Sequence, residues 1–263
     1  MSKTIDEIVT GLKKFLLHSA LIYSFSICFL VGCWETEKKS AREKISNYES
    51  YYFPVKDLST PKVYHYVSSD EKSEDLFWVL SSVIEENKNY LITDSYVVDS
   101  LGNLIHVELI KEEINKVGSF VKEYTETQRN KYGKEFKSAA TIESESVFLW
   151  DLENSDEITW KFKKESKIYL GYDVETIRRR KFTGDSVNIE FEDVKTPAIK
   201  FLDSFRITYI TRLDNRRDDF DYKQTSYYAK GIGLYEYTRV FPESEVTFTL
   251  KEILSLDEWE KFE

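Results

Sequence analysis

Cysteine is nearly absent from this chain: Cys28 and Cys33 are the only two in 263 residues. That excludes a disulfide-stapled scaffold, and with only three histidines it leaves too few ligands for a zinc or iron–sulfur centre. Nine glycines and four prolines exclude collagen-like and low-complexity architectures. Basic residues are also in deficit, 37 against 47 acidic ones, for a formal charge of −10. A nucleic-acid binder that works by neutralising phosphates is therefore not expected. What the chain has in quantity is aromatic residues, 18 Tyr, 17 Phe and 5 Trp. With 41% hydrophobic residues it can bury a core, which excludes wholesale disorder.

One long apolar run exists, Phe15 to Val31, preceded by Lys13-Lys14 and ended by Gly32-Cys33. Charged residues resume at once with Glu35, Glu37, Lys38 and Lys39. A positive flank, an apolar stretch and a small residue at the cut site form the layout of a secretory signal peptide. Leu30-Val31-Gly32-Cys33 resembles the lipobox of bacterial lipoproteins. Cys28 does not fit that pattern, because Ile27 before it is too large. The rival reading, a retained signal anchor, needs roughly 20 apolar residues, and this run is short and carries His18 and several serines. The resemblance implies that Cys33 becomes the mature N-terminus, with lipid on its sulfur and an acyl chain such as palmitate on its nitrogen. At about 0.8 kcal/mol per buried CH₂, two or three long chains hold the protein to a bilayer by on the order of 20 kcal/mol. Cleavage removes Cys28 and lipid consumes Cys33, so the core alone must supply stability.

The expected organisation is a signal peptide over 1–32, a lipidated tether over 33–50 and one antiparallel β domain over 51–263. In the domain the dominant period is two. Ile158, Trp160 and Phe162 alternate with polar residues, as do Val187, Ile189 and Phe191, then Phe205, Ile207 and Tyr209, then Val246, Phe248 and Leu250. Each segment reads as a strand with one wet face. Turn residues separate them at Asp99–Asn103, Thr183–Ser186 and Asp214–Asp219. Leu76–Leu80 is continuously apolar and reads as a strand buried on both faces. Ser255 and Glu258 fit a capping box, with Leu256, Trp259 and Phe262 on one face of a short C-terminal helix that would cover one end of the sheet. The fold expected is mainly β, a large meandering antiparallel sheet of ten or more strands.

Candidate sites are few. Gly231-Ile-Gly-Leu-Tyr-Glu236 begins like a dinucleotide fingerprint but has Glu236 where the third glycine belongs; a bend or bulge is the better reading. The longer run Tyr227-Tyr-Ala-Lys-Gly-Ile-Gly-Leu234, with the opening Tyr52-Phe53-Pro54 and the strand Val63–Tyr66, resembles a signature of uncharacterised Bacteroidota-type lipoprotein domains. The resemblance implies a half-open barrel, like that of the periplasmic lipoprotein carriers, and an envelope location; it brings no activity with it.

Arg178-Arg179-Arg180-Lys181 is the strongest charge cluster and the candidate contact for a partner. It also reads as one side of a charged strand pair. A three-residue loop over Gly184–Ser186 sets Arg180 opposite Glu190 and Arg178 opposite Glu192, pairs of roughly 0.2–1 kcal/mol each. A two-residue loop sets them against Ile189 and Phe191. Asp214, Asp218, Asp219 and Asp221 lack calcium-loop spacing and lie among arginines. His65 and His106 do not form a metal or catalytic pattern, and no nucleophile motif is present. The abundant Tyr and Phe either pack across strands or line a groove for an acyl chain, glycan or peptide.

These readings point to a lipid-anchored envelope protein, held in the outer membrane, without catalysis, cofactor, metal or nucleic acid. It would serve as an accessory or interaction subunit of an envelope protein assembly. The alternative is a carrier of an apolar ligand in the concave face of the half-barrel. The sequence leaves the leaflet open.

Overall fold

A computed structural model describes residues 47–262 apart from 71–72, 100–101, 131, 156 and 169–170. The leader, Cys33 and most of the tether lie outside the described residues. The chain enters through two 3₁₀ turns, Tyr48–Tyr51 and Val55–Asp57, and then forms thirteen strands. These are β1 (Lys62–Ser68), β2 (Leu76–Glu85), β3 (Lys88–Val98), β4 (Leu104–Ile114), β5 (Gly118–Arg129), β6 (Glu135–Ser144) and β7 (Ser146–Leu149). They continue as β8 (Ile158–Glu165), β9 (Tyr172–Phe191), β10 (Val194–Thr211), β11 (Arg217–Ala229), β12 (Gly233–Val240) and β13 (Glu245–Ser255). A single helical turn, α1 (Leu256–Trp259), follows.

Every pairing is antiparallel, and strands adjacent in sequence are adjacent in space, save that the short β7 continues β6 along the same partner, β5. β4 pairs with β5, and β1 pairs with β13 from Lys62↔Ser255 to Ser68↔Phe248. The meander therefore closes into a twelve-strand barrel, which corrects the half-open form the sequence suggested. Alternation shows that each strand has one buried face; it carries no information on whether the first and last strands meet.

Side chains alternate across the wall. Tyr64, Tyr66, Trp78, Leu80, Trp160, Phe162, Phe201, Tyr228, Tyr237 and Phe248 point inward and form one core cluster. A twelve-strand barrel is wider than the eight-strand ones whose lumen ordinary side chains fill. Here the extra space takes aromatic rings and a piece of the chain itself. Tyr52, Phe53 and Leu58, from the segment before β1, are buried in that cluster. They are fixed by backbone bonds on three sides: Tyr48 N–H to Trp150 O, Gly231 N–H to Ser50 O and Ser82 N–H to Leu58 O. Phe53 meets Tyr64 and Trp78 edge-on at 5.6 and 6.3 Å. The segment thus plugs the end of the barrel that carries the β2–β3, β4–β5, β9–β10 and β11–β12 turns.

The sequence placed a turn at Thr183–Ser186. The chain instead stays extended there: Phe182 pairs with Phe201 and Ser186 with Ile199, so three residues on β9 oppose the single residue Lys200. Gly184, at φ +77°, sits in this bulge. The reversal comes at Glu192 and Asp193, with φ of 50° and 62°, two residues that carry no glycine signal. Residues 183–197 consequently have no register pairing with β8 or β11 and form a two-stranded arm, which the Tyr235 hydroxyl meets by donating to Glu190 O at 3.3 Å. The capping box is present as expected: the Ser255 hydroxyl accepts from Glu258 N–H while the Glu258 carboxylate accepts from Ser255 N–H. The helical turn lies on the outer wall, where Trp259 meets Tyr96 at 5.3 Å, and does not cover an end of the sheet.

A glycine is required at 233, where φ is +100° and a Cβ would run into the Phe53 ring. Gly184 also has positive φ but has open space around it. Gly184→Ala should cost about 1–2 kcal/mol from backbone strain alone. Gly233→Ala should cost a further 1–3 kcal/mol, roughly, from overpacking against the plug. Urea unfolding of the two variants side by side measures the difference.

Candidate functional site

The basic run Arg178–Lys181 lies in β9, so its side chains alternate. Arg178 and Arg180 point into the barrel and are fully buried, whereas Arg179 and Lys181 are exposed on the outer wall. The two halves of the cluster do different physical work.

Inside, register aligns Arg180, Asp203, Gln224 and Arg239 in one row across four strands. Asp203 receives both arginines: Arg178 donates from Nε and Nη2 at 3.1 and 2.8 Å, and Arg180 from the same atoms at 2.8 and 3.2 Å. Ser226 donates to it at 3.0 Å, Gln224 donates to Ser226 at 2.8 Å, and Arg239 donates to Gln224 at 3.1 Å. The Arg180 guanidinium also lies 4.5 Å from the Phe201 ring centre and 5.0 Å from that of Tyr228. Burial alone would push the Asp203 carboxyl up; the two guanidinium charges override it and hold the group at about 2. The predicted pairs with Glu190 and Glu192 do not form, because the hairpin turns at Glu192–Asp193 and brings Arg180 opposite Asp203.

Three more buried carboxylates complete the interior. Glu112 accepts from Tyr52 of the plug at 2.5 Å and from Ser119 at 2.5 Å, and burial raises it to about 8. Glu108 accepts from Ser95 at 3.1 Å and is raised well above the usual carboxylate range by burial. Glu126 is in contact with Lys164, whose ammonium burial lowers to about 7. Among the described residues the buried ionisable groups of the barrel interior are four acids, Glu108, Glu112, Glu126 and Asp203, and four bases, Lys164, Arg178, Arg180 and Arg239. Each of the carboxylates is engaged by an internal partner.

Outside, the adjacent register row is Arg179, Ser204, Lys223 and Val240. It crosses a groove of about 470 Å³ that Ile177, Arg206, Phe241 and Pro242 also line. Asp221 also lines the groove, paired with Arg206 at 2.9 Å, and the wall beside it carries Lys161, Lys163 and Glu175, again in ion pairs. A membrane-spanning barrel needs an outward apolar band, so this polar wall is not built to sit in hydrocarbon. No helix among the described residues is long and apolar enough to cross a membrane. The closed wall also leaves no open concave face of the kind the carrier alternative requires.

The remaining candidates have structural partners. His65 bonds Asp75 at 2.8 Å and Glu252 at 2.9 Å and stacks on Phe77. His106 bonds Thr127 and Asp94 at 2.9 and 3.1 Å. Asp219 accepts from Thr208, Asp221 pairs with Arg206, and among the described residues no three metal-ligating side chains converge. Gly231 and Gly233, at φ +76° and +100°, flank a turn, as the bend reading had it. The buried row around Asp203 was missed in the sequence, although Phe201-x-Asp203-x-Phe205 places a carboxylate on the apolar face of an alternating strand.

No protein family and no curated protein matches the sequence. Among solved structures, a "putative lipoprotein" from Parabacteroides distasonis ATCC 8503 aligns with a TM-score of 0.47 and 11% identity, over 80% of this chain and 100% of that one. A "putative exported protein with YmcC-like fold" from Bacteroides fragilis NCTC 9343 aligns at 0.43 and 8%, over 74% and 94%. Both scores are too low to carry an inference about function.

Asp203→Asn should destabilise the barrel by about 3–5 kcal/mol, since it strips charge compensation from two buried guanidiniums. Arg179→Ala, one position from Arg178 but outside, should stay within about 0.5 kcal/mol. Chemical denaturation reads both. The pH dependence should have two opposed parts. Asp203 is depressed when folded, so its contribution is present at neutral pH and is lost as pH falls through about 2. Glu112 is raised when folded, from 4.5 to about 8, so its contribution declines as pH rises across that interval. Glu112→Gln should reduce the stability slope between pH 5 and 8, with the raised Glu108 retaining the remainder, and leave the acid limb unchanged.

Proposed function

We propose that this chain is a lipid-anchored protein of the bacterial envelope, held by Cys33 in the outer membrane, and that it acts as a non-catalytic accessory subunit of an envelope protein assembly. The observation that carries the anchoring is the apolar run that ends at Leu30-Val31-Gly32-Cys33, directly before charged sequence. The geometry of the entering chain supports it. The segment from Tyr48 is bound to the barrel at the plugged end, so a tether from Cys33 joins the domain there. The lipid end and the plugged end then face the same way, and the outer wall stands free for contact. An interior filled with aromatic rings and with the Asp203–Arg178–Arg180 and Glu126–Lys164 ion pairs supports a role played from the outside. The engagement of Glu112, Glu126 and Asp203 by internal partners, among the described residues, supports a non-catalytic role.

Labelled palmitate fed to growing cells should enter the wild-type protein and not Cys33→Ser, which should leave the membrane fraction. Unlabelled wild-type protein would overturn the anchoring. Extracted in mild detergent, the acylated protein should migrate as part of a larger complex. A lone monomer under those conditions would overturn the accessory role.

A further inference from the structure

On a chain of net charge −10, one stretch of the outer wall of β9, β10 and β11, around Leu202, is locally basic. Arg179, Lys181 and Lys223 are exposed there, with Lys200 half-buried beside them. Register places them around Leu202, which is 47% exposed: Lys181 is directly opposite it, and the row of Arg179, Ser204 and Lys223 comes next. Lys181, Lys200 and Lys223 are not engaged in any ion pair among the described residues, and Arg179 has only Glu157 at 3.7 Å. Several other lysines of the wall are neutralised, as in Lys161 with Glu143 and Glu175, Lys163 with Asp173, and Lys111 with Glu85, whereas Lys62 and Lys137, like the patch lysines, are in no ion pair among the described residues. The groove of about 470 Å³ begins at Arg179 and Lys223 and ends at the apolar side chains of Val240, Phe241 and Pro242. Val240 is 42% exposed. Unneutralised cations beside uncovered aliphatic side chains, in a concave site that spans four strands, make a surface incomplete in both charge and apolar contact.

We propose that this patch docks an acidic polypeptide segment of a partner protein, with carboxylates set against Arg179, Lys181, Lys200 and Lys223 and an apolar side chain in the groove beside Val240 and Phe241. The proposal rests on the accessory-subunit reading and names the chemistry of its partner. Charge complementarity decides the occupant. A second copy brings an acidic surface in general, but its projecting acidic element, the arm tip with Glu190, Glu192 and Asp193, carries the cation Lys195 and the exposed Val194 alongside its acids. A bilayer is a poorer fit, because the patch lies on the side wall and the tether joins at the plugged end.

The test is photo-cross-linking in cells, with benzoylphenylalanine placed in the full lipidated chain at position 202 and, separately, at 240. Mass spectrometry of the adducts should identify a peptide from a different protein that carries a net negative charge. Arg179→Glu combined with Lys223→Glu should lower the adduct yield at least tenfold with an unchanged urea midpoint. Lys137→Glu, exposed on β6 away from the patch, should leave it within twofold. An adduct to lipid, to a second copy of this chain or to a basic peptide would overturn the proposal, as would a yield that the paired substitution does not lower. Intact mass of the same samples reads acylation at Cys33 separately. A chain that is acylated and in a complex but forms no adduct at either position overturns this inference while the accessory role stands.

Discussion

Lumen width is the constraint on which the rest of this molecule depends. Closing twelve strands leaves a bore that ordinary aliphatic side chains do not span. The interior needs either a ligand, a water column or protein. This chain supplies protein in three forms: aromatic rings from most of the strands, long ionisable side chains, and the Tyr52–Phe53–Leu58 plug. The aromatic richness of the composition, 15% of residues, follows from this need. So does the glycine at 233, where the strand must give way to Phe53.

The charged part of the filling is the least expected. Burying a guanidinium costs several kcal/mol unless its charge and hydrogen bonds are met. Asp203 meets two of them at once, and register rather than loop flexibility holds the three groups together, since Arg180, Asp203 and Gln224 are cross-strand neighbours. A slip of one residue between β9 and β10 would turn Asp203 outward and leave Arg178 and Arg180 inside without it. The buried row therefore specifies pairing as well as filling space. The same alternation that buries Arg178 and Arg180 puts Arg179 and Lys181 on the outside, so one basic run serves both the interior and the surface.

Much of the strand content was legible because period-two patterning is local. Ile158–Phe162, Phe205–Tyr209 and Val246–Leu250 all lie in strands, and the Ser255–Glu258 box is where its residue types placed it. Closure was not legible, because it is a pairing between the first and last strands. The hairpin at Glu192–Asp193 was hidden since Glu192 carries no signal for positive φ and Asp193 a weaker one than glycine, while Thr183-Gly184-Asp185 advertised a turn and made a bulge. The division of Arg178–Lys181 into inner and outer pairs was hidden for a related reason. Alternation is read from hydrophobicity, and four consecutive cations carry none. Asp203 between Phe201 and Phe205 was the available clue, because a carboxylate on an apolar face demands a buried cation.

The barrel is filled by its own chain, and the proposed function has it tethered by lipid at the plugged end and acting through its outer wall. Native mass spectrometry of the protein purified from envelopes tests it most directly. The prediction is a mass that equals the polypeptide from Cys33 plus its acyl groups, with nothing else retained after mild activation. A further small molecule that stays bound until the barrel unfolds, or a leader still attached, would contradict it.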